Sequence, residues 1–225
     1  MPRISIIIPA LNEAAAIQAT LAPLQPLRAH GHEVVVVDGG SVDGTPEIAW
    51  PMADQVLASP RGRAAQQNAG VAAATGDVLL FLHADTLLPP DADRLVLDGL
   101  RTTGRGWGRF DVRLSGPAPL LRVVERMISL RSRVTGIATG DQAIFARREW
   151  FQRVGGFPEL PLMEDVAITR ALRRLGPPLA LRARATTSSR RWEERGVVRT
   201  IVLMWRLRWA YFRGAEPAEL ARRYR

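Results

Sequence analysis

The chain has 225 residues, enough for one domain with a substantial core, and it contains 31 arginines, no lysine and no cysteine. The missing cysteine excludes disulfides, thiolate zinc sites and cysteine nucleophiles. The net charge of +9 is uneven, because residues 1–120 carry 9 arginines against 12 acidic residues whereas residues 121–225 carry 22 against 10. This asymmetry predicts a site in the acidic first half and a charged surface in the basic second half.

The first 90 residues alternate predicted strands and helices with short connections. Strands are predicted at 3–8, 33–38, 55–58 and 78–82. Their continuous apolar runs are typical of strands buried on both faces of a parallel sheet. Helices are predicted at 13–24, after residue 45 and within 61–76. Asn12 is placed to cap the first helix. This order predicts a doubly wound α/β sheet.

The second half predicts more helices and fewer strands. Helices are predicted at 91–100, 119–133, 150–154, 162–175 and 197–213, and strands at 106–114 and after a turn at 139–142. The helix from 162 carries Glu164 and Asp165 in its first turn, where the helix dipole favours negative charge.

Carboxylates follow two of the predicted strands. Asp38 ends the second strand and Asp85 follows the fourth, so both are expected at the edge of the sheet where open α/β folds bind ligands. Together with the Glu164–Asp165 pair, they could hold a divalent cation and accept a proton from a hydroxyl. Turn capping is the alternative role for the strand-end residues. The sequence lacks the glycine-rich fingerprints of dinucleotide redox enzymes and P-loop proteins.

Four motifs occur in an order and spacing that resemble a known family. They are Ile-Ile-Ile-Pro-Ala-Leu-Asn-Glu (6–13), Val-Val-Asp-Gly-Gly-Ser-Val-Asp-Gly-Thr (36–45), Phe-Leu-His-Ala-Asp (81–85) and Met-Glu-Asp (163–165). Over nearly its whole length the chain is similar to family 2 glycosyltransferases with the GT-A type fold, and especially to a short bacterial subgroup of selenodomain-associated transferases. The resemblance implies a metal-dependent, inverting transfer of a sugar from a UDP- or GDP-sugar to an acceptor hydroxyl.

The resemblance also implies roles for positions of this chain. Asp85 matches the ligand of Mg or Mn bound to the diphosphate, Asp165 the general base, and Asp38 the acid that contacts the base or ribose. The residues implied to bind the nucleotide-sugar are Pro9, Asn12, Glu13, Asp38, Arg61, Ala84 and Asp85. Those implied on the donor-sugar or acceptor side are Asp141, Gln142, Glu164, Arg191 and Trp192. Of Arg61 and Arg63, only one is expected to have a role near the nucleotide.

Two positions depart from the family pattern. His83 replaces the first Asp of the Asp-x-Asp motif, so it is either a second metal ligand that suits Mn better than Mg or a side chain packed beside the nucleotide. Ser188 replaces the Gln of the Gln-x-x-Arg-Trp motif, which argues against a processive, polymerising activity. Arg191 and Trp192 of that motif either close over the diphosphate or acceptor, or are a solvated arginine and a packed tryptophan.

The segment 197–213 predicts an amphipathic helix. Arg199, Arg206 and Arg213 recur every seven residues and therefore share one stripe. The longest run without an arginine is six residues, too short to span a bilayer. The helix is predicted to lie on an anionic membrane, which suggests a lipid-linked acceptor. The alternative is a helix packed on the catalytic domain with an arginine-rich outer face.

The sequence therefore predicts a GT-A type, Rossmann-like mixed sheet flanked by helices. Residues 1–190 are the expected catalytic domain, with a nucleotide-binding half at 1–90 and an acceptor-side half at 91–190, and residues 191–225 are a basic helical segment. No signal peptide and no nucleic-acid partner are expected, and the predicted location is cytoplasmic, at the inner face of the membrane. Two rival functions remain. One is a sugar nucleotidyltransferase, which would need a triphosphate-binding loop that residues 9–13 do not supply. The other is a catalytically silent binding module.

Overall fold

The computed structural model describes residues 2–224, so Met1 and Arg225, the outermost residues of the expected domains, lie outside it. Its strands are β1 (Ile4–Ala10), β2 (Glu33–Asp38), β3 (Gln55–Ala58), β4 (Val78–Phe81), β5 (Thr86–Leu87), β6 (Trp107–Leu114), β7 (Phe145–Arg147) and β8 (Leu179–Thr187). Its helices are α1 (Ala14–Leu21), α2 (Gln25–Ala29), α3 (Thr45–Ala49), α4 (Arg63–Ala73), α5 (Ala92–Thr103), α6 (Pro119–Thr135), α7 (Arg148–Arg153), α8 (Glu164–Leu175), α9 (Arg190–Arg195), α10 (Val197–Phe212) and α11 (Pro217–Tyr224).

The strands form one mixed sheet in the order β3-β2-β1-β4-β7-β6-β8-β5. The first four strands in this order are parallel, β7 runs against both of its neighbours, and β8 lies parallel to β6. The carboxyl ends of β4, β6 and β8 therefore meet at one edge of the sheet. The predicted doubly wound mixed sheet is confirmed.

Helices cover both faces of the sheet, which explains the continuous apolar runs of the central strands. Every residue of β1, β2 and β4 is buried. Ile6 and Val36 pack on one face with Ile17 of α1, whereas Ile7 and Val37 pack on the other face, where α4 lies. Because successive side chains of a strand point to opposite faces, each strand serves two core layers.

The cap predicted for the first helix is wrong. Asn12 has a positive φ of 55°, and its side-chain oxygen accepts a hydrogen bond from the Val42 amide instead of capping α1. The loop after β2 supplies the caps, since Thr45 Oγ1 accepts from the Glu13 amide and Asp43 Oδ2 from the Ala14 amide. A loop distant in sequence therefore takes the place of the local residue.

Strand β8 was not predicted from the sequence, although its leucines and alanines alternate with arginines. It pairs in parallel with β6 and, at its end, antiparallel with the two-residue strand β5. Thr86 Oγ1 donates to Thr187 Oγ1 at 2.9 Å across this pairing, and the Ser188 amide donates to the Asp85 carbonyl oxygen at 3.2 Å. Strand β8 therefore fixes the turn that carries Asp85.

Helix α4 approaches the sheet closely at Gly70. A Cβ at this position would lie 2.5 Å from Ile7 Cγ2 and 3.0 Å from Val37 Cγ2. We expect Gly70→Ala to lower the free energy of unfolding, because overpacking costs about 1–3 kcal/mol and exceeds the roughly 1 kcal/mol that alanine adds to a helix. Urea unfolding measures the change. Ala72→Gly, a change at an exposed position of the same helix, measures the contribution of helix propensity alone. A Gly70→Ala protein more stable than the wild type would contradict the close packing of α4 on the sheet.

Candidate functional site

A cavity of about 550 Å³ opens at the edge where β4, β6 and β8 end. Its lining comes from the turn after β4, from the turn at residues 139–141 and from α6, α8, α9 and α10. Four carboxylates predicted from three separate motifs line it together: Glu13, Asp85, Glu164 and Asp165. The fold therefore brings together residues from the beginning, middle and end of residues 1–190.

Asp165 is held by two backbone amides. Its Oδ2 accepts from the Gly140 amide at 2.9 Å, and its Oδ1 accepts from the Val166 amide at 2.7 Å. Met163, in the left-handed conformation with a φ of 70°, turns the chain immediately before α8. The carboxylate is half-buried and lines the cavity, so it combines a fixed orientation with access to a ligand.

Glu164, the neighbour of Asp165, is buried with 4% of its surface exposed. Arg63 at the start of α4 is its ion-pair partner, with Nη1 at 3.7 Å from Oε1. Burial and next the charge of Asp165 raise the pKa of Glu164 to about 7. Two adjacent carboxyl groups in one cavity are therefore held in different environments.

Glu13 and Asp85 carry like charge at the other side of the cavity. Burial, and next the charge of Asp85, raise the pKa of Glu13. Glu13 Oε2 is buried without a hydrogen-bond partner, and its ion-pair distance to Arg190 is 3.7 Å. Two carboxylates close together and an oxygen without a hydrogen-bond partner at this point favour the binding of a cation.

His83 is packed against Gly140. A Cβ at position 140 would lie 2.2 Å from His83 Nε2, so only glycine fits there. Burial, and next the charge of Arg63, lower the pKa of His83 to about 3. The imidazole is therefore neutral at physiological pH, the form that both a metal ligand and a packed side chain require.

Of the residues expected around the nucleotide, Glu13 and Asp85 line the cavity and the other five do not. Pro9 and Ala84 are buried, and the Ala84 carbonyl oxygen accepts from Thr20 Oγ1 at 2.7 Å. Asp38 Oδ2 accepts from the amides of Gly40 and Ser41, while its Oδ1 is buried without a partner. That free oxygen is the feature of Asp38 available to a ligand.

Asn12 and Arg61 have other surroundings. The Asn12 amide donates to Ser41 Oγ at 2.8 Å, and the Asn12 side chain accepts from the Val42 amide. Asn12 therefore stabilises the loop after β2 through both its backbone and its side chain. Arg61 is exposed before α4, and Arg63, two residues later, is the one that lines the cavity.

The residues expected on the sugar or acceptor side divide into two groups. Asp141, Arg191 and Trp192 line the cavity. Arg191 stacks on Tyr224, with its guanidinium carbon 3.9 Å from the ring centroid. Gln142 is fully buried and donates to Ser132 Oγ at 3.0 Å, so it supports the turn and does not line the cavity.

Several cavity residues were missed by the sequence reasoning. They are Arg131 and Arg208, together with Thr139, Arg190 and Tyr224. A single arginine carries little signal in a chain with 31 of them, and the role of Tyr224 depends on how α11 folds back.

Among residues 2–224, no cluster of three acidic, histidine or cysteine side chains could hold a metal ion by itself. Asp85 with neutral His83 nevertheless fits a cation completed by diphosphate oxygens, because Mg²⁺ commonly takes one or two protein carboxylates and the rest from substrate phosphates and water. The unpartnered oxygen of Glu13 adds negative charge nearby.

Helix α10 forms one wall of the cavity, and it also packs on the core. Leu207 is buried against Leu162 and Met163, and Met204 and Trp205 line the cavity. Of the two alternatives for this helix, packing on the rest of the chain is therefore present. Within the described part of the chain, no helix is long and apolar enough to cross a bilayer.

The packed helix still leaves apolar side chains exposed. With the neighbouring helix α6 it presents an outer apolar face made of Leu120, Val123, Met127, Leu130, Val134, Val198, Val202, Trp205, Trp209 and Phe212. These side chains are 39–76% exposed, and on each helix they recur at intervals of three and four residues, which places them on one stripe. Met127 and Trp205 belong both to this face and to the cavity lining, so the cavity opens onto the face.

Comparisons with known proteins agree with this fold. A profile of the family described as Glycosyl transferase family 2 matches residues 5–147, more than half of the chain. The chain is 41% identical over 107 residues to the succinoglycan biosynthesis protein ExoA of Rhizobium meliloti, which covers 43% of this chain and 32% of that protein. It is 27% identical over 234 residues to the probable glycosyltransferase YdaM of Bacillus subtilis, covering 93% and 55%.

Solved structures show the same fold. The mannosyltransferase PcManGT from Pyrobaculum calidifontis, in complex with GDP-Man and Mn²⁺, has a TM-score of 0.67 at 25% identity and covers 93% of this chain and 61% of that one. TarS 1–349 of S. aureus in complex with UDP has a TM-score of 0.68 at 20% identity, covering 83% and 60%. The predicted GT-A type fold is confirmed, and the chain spans less than two thirds of each of these proteins. The selenodomain-associated subgroup stays a prediction.

The raised pKa of Glu164 makes a prediction about pH. A carboxyl whose pKa is higher in the folded chain than its ordinary 4.5 binds more protons when folded, so its contribution to stability falls as the pH rises from about 4.5 through about 7. Glu164→Gln removes this titration. We expect the unfolding free energy of the wild type, relative to this variant, to fall by on the order of 2 kcal/mol between pH 5 and pH 8.

Urea unfolding of both proteins at the two pH values measures this difference. Glu159→Gln, which removes an exposed carboxylate from the loop before α8, is the matched control for the loss of one charge. A difference that stays constant or rises with pH would contradict the buried, proton-binding environment of Glu164.

Proposed function

Since the chain belongs to glycosyl transferase family 2, we propose that it transfers a sugar from a nucleotide-diphosphate sugar, with UDP or GDP as leaving group, to an acceptor hydroxyl. The observation that carries this proposal is the convergence of Asp85 and Asp165 in one cavity. The nucleotides in the solved relatives, GDP-Man in PcManGT and UDP in TarS, support the donor class.

Asp165 is the proposed general base. It takes the proton of the acceptor hydroxyl while the acceptor oxygen forms its bond to the anomeric carbon and the bond from that carbon to the diphosphate oxygen breaks. A single in-line displacement of this kind inverts the configuration at the anomeric carbon. The two amides that bind Asp165 fix the carboxylate before the acceptor arrives, which reduces the reorganisation needed for reaction.

Asp85, with His83 beside it, is the proposed site of a Mg or Mn ion. Such an ion, when bound, offsets the negative charge that develops on the leaving diphosphate. Arg63 and Arg190 also line this part of the cavity and add positive charge for the same phosphates. Asp38 Oδ1, buried and unpartnered, is proposed to accept a hydrogen bond from the base or ribose.

We also propose that the protein associates peripherally with an anionic membrane through the outer apolar face. Arg126 of α6 and Arg199 and Arg206 of α10 are exposed, and α10 contains no acidic residue, so these two helices add positive charge beside the apolar face. Aromatic residues at the apolar boundary and arginines at the lipid phosphates suit a helix lying on a membrane. A second copy of the chain would instead set these positive charges against each other.

Nucleotide binding separates the roles of the two aspartates. We expect calorimetry to show UDP or GDP binding that strengthens with Mn²⁺, and Asp85→Asn to remove the metal-dependent part. Asp165→Asn should keep nucleotide binding but lower sugar transfer by about 10²- to 10⁴-fold, measured as nucleotide released from UDP- and GDP-sugars with membrane lipid extract as acceptor.

Asp98→Asn, an exposed aspartate on α5, is the control for these substitutions. Failure to bind either nucleotide under any metal condition would contradict the transferase. An Asp165→Asn enzyme that transfers sugar at the wild-type rate would refute the assigned base.

Liposome flotation checks the membrane proposal. We expect binding to vesicles that contain phosphatidylglycerol at low salt and weaker binding at high salt, because screening reduces the attraction of the arginines. The double substitution Trp209→Ser with Phe212→Ser should weaken binding by about tenfold or more, because it removes two aromatic side chains that would be buried in the membrane. Neither side chain lines the cavity.

Trp50→Ser, which removes a tryptophan exposed elsewhere on the surface, is the matched control and should leave flotation unchanged. Absence of binding by the wild type at low salt would overturn the proposal. A stable dimer that the same double substitution dissociates would assign the face to a second copy.

A further inference from the structure

The charged residues of the cavity form two groups. Glu13, Arg63 and Asp85 lie in one group, and their charges act on one another. Arg131, Asp141 and Arg208 lie in the other and also act on one another. Asp165 is within electrostatic range of both groups. The proposed base therefore interacts with both groups, which we call the donor end, with the metal site, and the acceptor end.

The acceptor end holds two arginines against one aspartate, and neither arginine forms an ion pair with another described residue. Arg131 and Arg208 are half-buried, and the ion pairs of the cavity, Arg63 with Glu164 and Arg190 with Glu13, involve neither of them. Arg131 Nε is buried without a hydrogen-bond partner, and its Nη2 makes only a long contact of 3.4 Å with Thr139 Oγ1.

The two arginines also repel each other. Burial and next the charge of Arg208 lower the pKa of Arg131 to about 10, so the guanidinium stays charged at physiological pH. Burial raises the pKa of the Asp141 carboxyl, the one acidic residue of this group, whose Oδ1 is buried without a hydrogen-bond partner. Two like charges held together with unused donors are suited to an anionic group with several oxygens, such as a phosphate.

The wall beside these arginines is apolar. Val124 and Ile128 of α6 face the cavity together with Ile201 and Met204 of α10. Arg131 and Arg208 are carried by the same two helices, and the wall continues through Met127 and Trp205 to the outer apolar face. An anionic group bound by the arginines would therefore have an apolar surface leading from it to the outside of the protein.

We propose that the acceptor is an anionic phospholipid with a free hydroxyl near its phosphate, bound with the phosphate between Arg131 and Arg208 and its acyl chains along α6 and α10. This inference rests on the proposed transferase function, because Asp165 would take the proton of that hydroxyl as the lipid oxygen bonds to the anomeric carbon and the nucleoside diphosphate leaves. The two arginines bind the acceptor and set its chemical class.

Short-chain lipids that remain monomeric test this site separately from membrane binding. We expect calorimetry in the presence of Mn²⁺ and UDP or GDP to show binding of dihexanoyl phosphatidylglycerol. Dihexanoyl phosphatidylcholine, which has the same chains but neither net charge nor a free hydroxyl, should bind about tenfold more weakly or worse. Arg208→Gln and Arg131→Gln should each weaken phosphatidylglycerol binding by about 10- to 100-fold, the usual range for a hydrogen bond to a charged group.

The double substitution Arg153→Gln with Arg170→Gln removes two exposed charges away from the cavity and the outer apolar face and should change monomeric lipid binding by less than about twofold. Arg208→Gln is the decisive variant, because its side chain is only half-buried and makes no ion pair within the described residues. Nucleotide binding, measured on every variant, reports whether the donor end is intact.

Equal binding of the two lipids would overturn the proposed acceptor class, as would equal binding of phosphatidylglycerol by the wild type and Arg208→Gln. A wild type that binds nucleotide but no phosphatidylglycerol also overturns it and leaves the transferase function standing. Conversely, a protein that binds phosphatidylglycerol through Arg208 but no nucleotide supports the lipid site and contradicts the transferase.

Discussion

The close approach of three chain segments at Gly140 is the constraint on which the cavity depends. The amide of Gly140 donates a hydrogen bond to Asp165. The space that a Cβ on Gly140 would need is occupied by His83, which belongs to the turn that carries Asp85. The proposed metal site and the proposed base are therefore positioned against the same backbone unit. Any side chain at residue 140 would separate them, because its Cβ would occupy the space of the imidazole.

The first half of the fold was accessible to sequence reasoning because its signals are local. The buried strand Glu33–Asp38 and the partly buried strand Gln55–Ala58 were predicted with the bounds that the structure shows. The placement of Asp85 after β4 follows from the apolar run of that strand. Whether Arg61 or Arg63 faces the cavity was not accessible, because this depends on where α4 starts. Asn12 was misassigned because a loop thirty residues away provides the caps.

The second half of the fold was less accessible, for physical reasons. Strand β8 is only partly buried and carries arginines, so its alternation is weak beside the apolar runs of β1 and β2. The periodicity of 197–213 correctly predicted helix α10, but the sequence offered packing and membrane contact as alternatives. The structure shows that one helix has two apolar stripes, one packed on the core and one exposed, and a pattern read along the chain does not separate them.

The pairing of β5 with β8 has a consequence for the order in which the site is made. The threonines joined across it are 101 residues apart, and the Asp85 carbonyl oxygen is tied to Ser188 in the same place. During synthesis from the amino terminus, β1 to β4 have all their parallel partners within the first 81 residues. The turn with Asp85 gains its last anchor only after residue 188 has emerged, so the partners of the parallel strands are present in the nascent chain well before those of the cavity.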